Sequence, residues 1–202
     1  MNNAVNNGKL YVGVDKDGRV VATTFTLGPK IGGIIGYTLS AMTDCTNEGE
    51  IRYYANRAAS ASGTLHVGGI CGYAQAEGSK ACNTTLTRVT NNGKITIEGG
   101  NGACEVWAGG INGYLYGKST QTGLVNNGEL TLNMDNTCTG HFKVGGVSGG
   151  IHNAVSDSEN NGKINITDAT LSFTDAKIGV LDGTVVLDNV DLDIVGGANA
   201  IN

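Results

Sequence analysis

Four aromatic residues are the first places where this chain could do chemistry. Tyr37, Tyr73 and Tyr114 each close a copy of one glycine-rich pattern, and Trp107 stands two residues before Gly109. Equivalent positions of a repeat stack on one another, so the tyrosines are expected in a column. The column can pack a corner or the core. It can also form a strip that receives sugar rings, because Tyr joins an apolar face to a polar tip. Trp107 extends that strip or packs half-buried beside it.

Other groups are weaker. Asp182, Asp188, Asp191 and Asp193 form an acidic run near the C-terminus. Calcium takes six to eight oxygens, but the alternation with Val190, Leu192 and Ile194 reads as the wet face of a strand. Asp15-Lys16-Asp17-Gly18 has the opening of an EF-hand loop, yet Thr26 holds the twelfth position, where a Glu is needed. It reads as a hairpin turn between residues 10–14 and 19–24. His66, His141 and His152 share no motif with Ser, Cys or Asp, and no GxSxG occurs. His66 and His141 both lie just upstream of a Gly-Gly pair, which reads as a repeat position. Five cysteines (Cys45, Cys71, Cys82, Cys104, Cys138) form no CxxC, which disfavours zinc. They read as small core residues, with one disulfide as the alternative. Gly145 to Gly150 would need a following helix to cradle phosphate, and none is expected. The reading is non-enzymatic, with no catalytic residue, metal or cofactor.

The elements that must position these residues are set by composition and repetition. Of 202 residues, 33 are Gly and one is Pro, with 15% charged and 40% hydrophobic. Glycine at this level disfavours a helical bundle. One Pro and no G-x-y period exclude collagen. The net charge of −5 argues against nucleic acid and against an anionic membrane surface. No apolar run reaches the ~18 residues of a membrane helix, so no membrane insertion is expected in this segment.

Two motifs alternate along the chain. Asn-x-Gly, then a charge, then an apolar residue, begins at Asn6, Asn47, Asn91, Asn126 and Asn160. Gly-Gly-Ile/Val-x-Gly begins at Gly32, Gly68, Gly109 and Gly145, at spacings of 36, 41 and 36. After each Asn-x-Gly, apolar residues stand two apart: Leu10 and Val12, Ile51 and Tyr53, Ile95 and Ile97, Leu130 and Leu132, Ile164 and Ile166. That is strand periodicity with one face inward. The Gly-Gly copy reads as a second strand, and the variable segment, such as Ala81 to Thr90, as a third. The expected fold is all-β, a parallel β-helix of about five coils with three short strands each. The five asparagines would form a ladder. Lys9, Glu50, Lys94, Glu129 and Lys163 alternate in sign and would form a charge ladder. Residues 1–166 are the repeat coils. Residues 167–202 lose both motifs and read as shorter terminal coils, with Phe173 placed to help close the core.

Val67-Gly68-Gly69-Ile70-Cys71-Gly72-Tyr73 resembles the glycine-rich repeat called GLUG. Asp44-Cys45-Thr46-Asn47-Glu48-Gly49-Glu50-Ile51 is similar to the stretch that accompanies it. The resemblance covers residues 1–166; the fourth copy has Gly150 where the others have Tyr. Such repeats occur in large surface proteins of gut and other host-associated bacteria, including adhesin-like proteins and flanking parts of some IgA-cleaving proteases. The resemblance implies a secreted or surface-attached stalk and carries over no catalytic residue.

The functional expectation is a structural or adhesive segment, extracellular or at the cell surface, with signal peptide and anchor outside this segment. Its partners would be a host or microbial surface glycan or protein, or neighbouring repeats of the same longer chain. The alternative is a carbohydrate-binding module that uses the tyrosine column.

Overall fold

The computed structural model describes residues 1–21, 24–25, 28–54, 56–57, 63–75, 84–103, 105–116, 121–151, 155–167, 172–179 and 185–188. Among them there is no helix, and every pairing between named strands is parallel. Four sets of strands recur in chain order. The first ends on the motif asparagine: Val5–Asn6, Thr46–Asn47, Leu86–Asn91, Gln121–Asn126 and Glu159–Asn160. The second follows the Asn-x-Gly turn: Leu10–Val12, Ile51–Tyr54, Ile95–Ala103, Leu130–Gly145 and Ile164–Thr167. The third ends on the first glycine of the Gly-Gly pair: Lys30–Gly32, Thr64–Gly68 and Glu105–Gly109, joined by the far end of Leu130–Gly145. The fourth follows that pair: Ile35–Thr38, Cys71–Gln75, Asn112–Tyr116 and Ser148–Ile151.

Gly-Gly-Ile/Val-x-Gly is therefore not a strand of its own, contrary to the sequence expectation. Its first glycine ends one strand, the second glycine and the next residue bend, and the last glycine lies in the following strand. The sets fall into three sheets: the first set in one, the second and third together in another, where Leu130–Gly145 runs unbroken through both positions, and the fourth in a third. The bend has a packing reason. A Cβ on Gly33, Gly69, Gly110 or Gly146 would lie 2.2–2.4 Å from the amide carbon of Asn47, Asn91, Asn126 or Asn160 respectively. The two sequence motifs meet face to face, and only a residue without a side chain fits.

Asn6, Asn47, Asn91, Asn126 and Asn160 are in register and joined amide to amide. Each Nδ2 donates to the next Oδ1 at 2.7, 2.8, 2.8 and 2.7 Å. Each Nδ2 also donates to the carbonyl of its own turn glycine, at 2.8–3.0 Å. From Asn47 to Asn160 the ladder is fully buried. A second, exposed ladder runs beside it. Asn161 donates to Asn127 (3.0 Å), Asn127 to Asn92 (2.8 Å) and Asn92 to the Glu48 carboxylate (2.8 Å).

The polar seam separates two apolar clusters. One gathers the paired residues that follow the turn, from Ile51 and Tyr53 to Ile164 and Ile166, with Leu65, Val67, Val106 and Val144. The other gathers Met42, Cys45, Ile70, Cys71, Leu86, Ile111, Leu115 and Leu124. Cys45 and Cys71 are buried free thiols, and burial pushes that of Cys71 up to about 12. Both serve as small core residues. Cys82, Cys104 and Cys138 lie outside the described side chains.

The charge ladder forms as separate pairs. Lys9 meets Glu50 at 3.1 Å and Lys94 meets Glu129 at 2.8 Å. No ion pair joins Glu50 to Lys94 or Glu129 to Lys163 among the described residues. Each carboxylate takes a second donor instead: the Tyr11 hydroxyl on Glu50 and the Thr131 hydroxyl on Glu129.

Asp15 to Gly18 is the expected turn. Gly18 N–H donates to the Asp15 carbonyl at 3.0 Å, and Val14 pairs antiparallel with Val20. In the terminal region Ser172–Gly179 and Val185–Asp188 continue the parallel pairing. The register step is 34 residues from Leu130 to Ile164 and 21 from Ile164 to Val185. Asp182, Asp191, Asp193 and the side chains of Phe173 and Asp188 lie outside what the structure describes.

Candidate aromatic–cationic groove

Two register columns flank the Gly-Gly bends on the outer surface. Tyr37, Tyr73 and Tyr114 occupy one position of the fourth strand set, with Gly150 next in line. Lys30, His66, Trp107 and Lys143 occupy one position of the third set, each two residues before the first glycine of its pair. Strand alternation turns all of them to the same side of the chain.

The columns interlock. Tyr37 and Tyr73 stack with centroids 5.5 Å apart and planes at 22°, and Tyr73 and Tyr114 follow at 5.3 Å and 57°. His66 meets Tyr73 edge-on at 4.8 Å, and Trp107 meets Tyr114 edge-on at 4.1 Å. A Cβ on Gly150 would lie 2.8–2.9 Å from ring carbons of Trp107 and Tyr114. Trp107 thus fills the place a fourth tyrosine would take. The Gly that broke the sequence pattern and the single Trp of the chain are one substitution in space.

Tyr37 is 39% exposed and Tyr116, in register with Gln75 and with its ring centre 6.0 Å from that of Tyr114, is 44% exposed, whereas Tyr114 is 9% exposed. Burial pushes the Tyr114 hydroxyl up to about 12, with Tyr73 and Tyr116 adding to it. Because Tyr37 and Tyr73 turn their faces to each other, the column offers solvent ring edges and hydroxyls more than flat faces.

Lys30, Tyr37, His66, Tyr73 and Gln75 line a groove of about 410 Å³. The Tyr37 hydroxyl donates to Gln75 Oε1 at 3.0 Å. Lys30 Nζ lies 5.5 Å from the Tyr73 ring centre, and Lys143 Nζ 3.7 Å from that of Trp107. His66 is 7% exposed, and its Nδ1 is buried without a hydrogen-bond partner. Burial, helped by the Lys30 charge, pulls the imidazole down to about 4, so it is neutral at pH 7. Glu105 stands beside the groove with its carboxylate occupied by Trp107 Nε1 (2.8 Å) and the Thr64 hydroxyl.

The tyrosines and Trp107 were legible as a cluster from repeat position. Lys30, His66, Lys143 and Gln75 were not, although the fixed offset from the Gly-Gly pair was available in the sequence. His66 and His141 are not equivalent: His66 pairs with Trp107, while His141 pairs with Asp175. The two stand at different offsets from their glycines. His152 lies outside the described residues. Among the described residues no cluster of three His, Cys, Asp or Glu is placed to hold a metal ion. No helix there is long and apolar enough to cross a membrane. No family model, curated protein or solved structure matches this chain.

Proposed function

We propose that the chain is a segment of a parallel β-helix that serves as a structural and adhesive scaffold in a secreted or surface-attached bacterial protein of the GLUG-repeat kind. The observation that carries the reading is repetition in space. The same three sheets are extended in parallel register from unit to unit, with the buried asparagine ladder along them. A scaffold of this type acts by rigidity and by presenting like side chains at regular intervals, about 4.8 Å per step. The segment is read as non-enzymatic. Glu105, the carboxylate beside the groove, is held by Trp107 and Thr64 rather than poised toward an opposing acid.

The second reading, a carbohydrate-binding module, is favoured by the groove itself, which combines ring edges, hydroxyls and an amide in one recess. Binding of the fluorescently labelled chain to arrayed host and microbial glycans separates the two. Tyr37→Ala is the better probe, because Tyr37 is exposed and Tyr114 is packing. Glycan binding that Tyr37→Ala abolishes supports the module. Absence of binding to every glycan and surface protein tried, with folding intact, leaves a spacer without adhesive function.

A further inference from the structure

Nine lysines and arginines have described side chains, and six of them are in ion pairs. The three outside any ion pair are Lys30, Lys143 and Lys163. Two of these share the groove-side column, and each rests on an aromatic ring. In a chain of net charge −5, acids are plentiful enough to pair them. The column nonetheless holds Lys30, His66, Trp107 and Lys143 and no acid. Around Lys30 the groove adds the Tyr37 hydroxyl, the Gln75 amide and the deeply buried His66, whose Nδ1 lacks a partner.

We propose that this groove binds the carboxylate of an acidic saccharide, with Lys30 as the charge partner and Tyr37, Tyr73 and Gln75 as the contacts to the sugar ring and its hydroxyls. The inference rests on the second reading above, that the groove is a contact site. A cation over an aromatic ring keeps its charge available to an incoming anion, since the ring attracts it without neutralising it. Tyr edges and hydroxyls with an amide suit a hydroxyl-bearing ring better than an acidic peptide, whose side chains offer no matching run of hydroxyls. Lys143 stands three rungs from His66's neighbour Lys30, about 14 Å along the column by strand spacing. It gives a longer acidic chain a second point of attachment.

The test is calorimetric titration of the full chain with a galacturonic acid trimer, its fully methyl-esterified form, inorganic tripolyphosphate and a glutamate-rich peptide. It is repeated on Lys30→Met, which keeps the packing on Tyr73 and removes the charge. Circular dichroism and melting of each protein establish folding. The proposal expects the free acid to bind at least tenfold more tightly than the ester and than tripolyphosphate, and Lys30→Met to lose at least tenfold for the acid alone. Equal binding of acid and ester overturns the carboxylate assignment and leaves the groove a sugar site. Equal or tighter binding of tripolyphosphate, or of a glutamate-rich peptide, shows charge attraction without saccharide recognition and overturns the proposal. Binding of no probe by the folded protein overturns the proposal. An acid that binds Lys30→Met as well as the parent lies elsewhere, which overturns it too.

Discussion

Asn126 makes four hydrogen bonds with one buried amide: it donates to the Gly128 carbonyl and to Asn160, and accepts from the Gly128 N–H and from Asn91. Asn126→Ala leaves several buried groups without partners, each costing roughly 1–3 kcal/mol. We expect a loss of about 3 kcal/mol in denaturant unfolding. Asn6→Ala, at the exposed end of the ladder, is expected to lose about 1 kcal/mol or less. A similar contrast holds at Gly150. The sequence pattern suggests that Gly150→Tyr would complete the tyrosine column. The structure predicts the opposite, because Trp107 and Tyr114 occupy the space. Gly150→Tyr should destabilise by about 1–3 kcal/mol, and adding Trp107→Ala should recover part of that loss in a double-mutant cycle. His66 supplies the pH dependence. Its folded value near 4 lies below the ordinary 6.5, so the unfolded chain binds the extra proton between those values. Stability is then complete above about 6.5 and falls as pH drops toward 4. An imidazole NMR titration of His66 should show a midpoint near 4. In His66→Phe this part of the acid sensitivity should disappear.

At the scale of the strand, a feature that periodicity did not reveal is a column of left-handed residues. Asn3, Asp44, Arg88, Gly123 and Asp157 have φ of 55°, 54°, 49°, 65° and 49°. Each directly follows a residue of the register series Asn2, Thr43, Thr87, Thr122 and Ser156. Every unit turns the same corner there, using residues with no common type. Asn, Asp and Gly tolerate the conformation. Arg88 is held by a two-pronged pair with Asp44, the next member of the column (2.7 and 2.8 Å). Gly123→Val should therefore cost about 1–2 kcal/mol, whereas Asp157→Gly should be neutral or slightly stabilising in the same unfolding assay. This corner was illegible because its constraint is on backbone angle, which several residue types satisfy. The asparagine ladder was legible because burial and amide geometry leave one solution. The paired strand residues were legible for the same reason, through burial of one face. The Gly-Gly segment was assigned the wrong role, a strand instead of a bend. Absence of side chains signals close approach but does not say what approaches. The groove falls between these cases. Its tyrosines follow from repeat position, while Lys30 and His66 join them only through the pairing of two different strand sets.

At the scale of the molecule, the seam of asparagines against glycines divides the interior into two apolar clusters, and both motifs are needed to make it. Each unit repeats that junction, so the glycine excess is a repeated contact rather than looseness. The charges contribute less. The Lys–Glu pairs are exposed and screened by solvent, so raising salt should leave the unfolding midpoint nearly unchanged. The central claim is that successive units stack in register through the buried amides. Side-chain amide exchange in the ¹⁵N-labelled chain tests it most directly. The account predicts that the Nδ2 protons of Asn47, Asn91 and Asn126 exchange only on global unfolding and show cross-peaks from each rung to the next. Exchange as fast as that of the exposed Asn92 and Asn127 amides, with no cross-peaks between rungs, would contradict it.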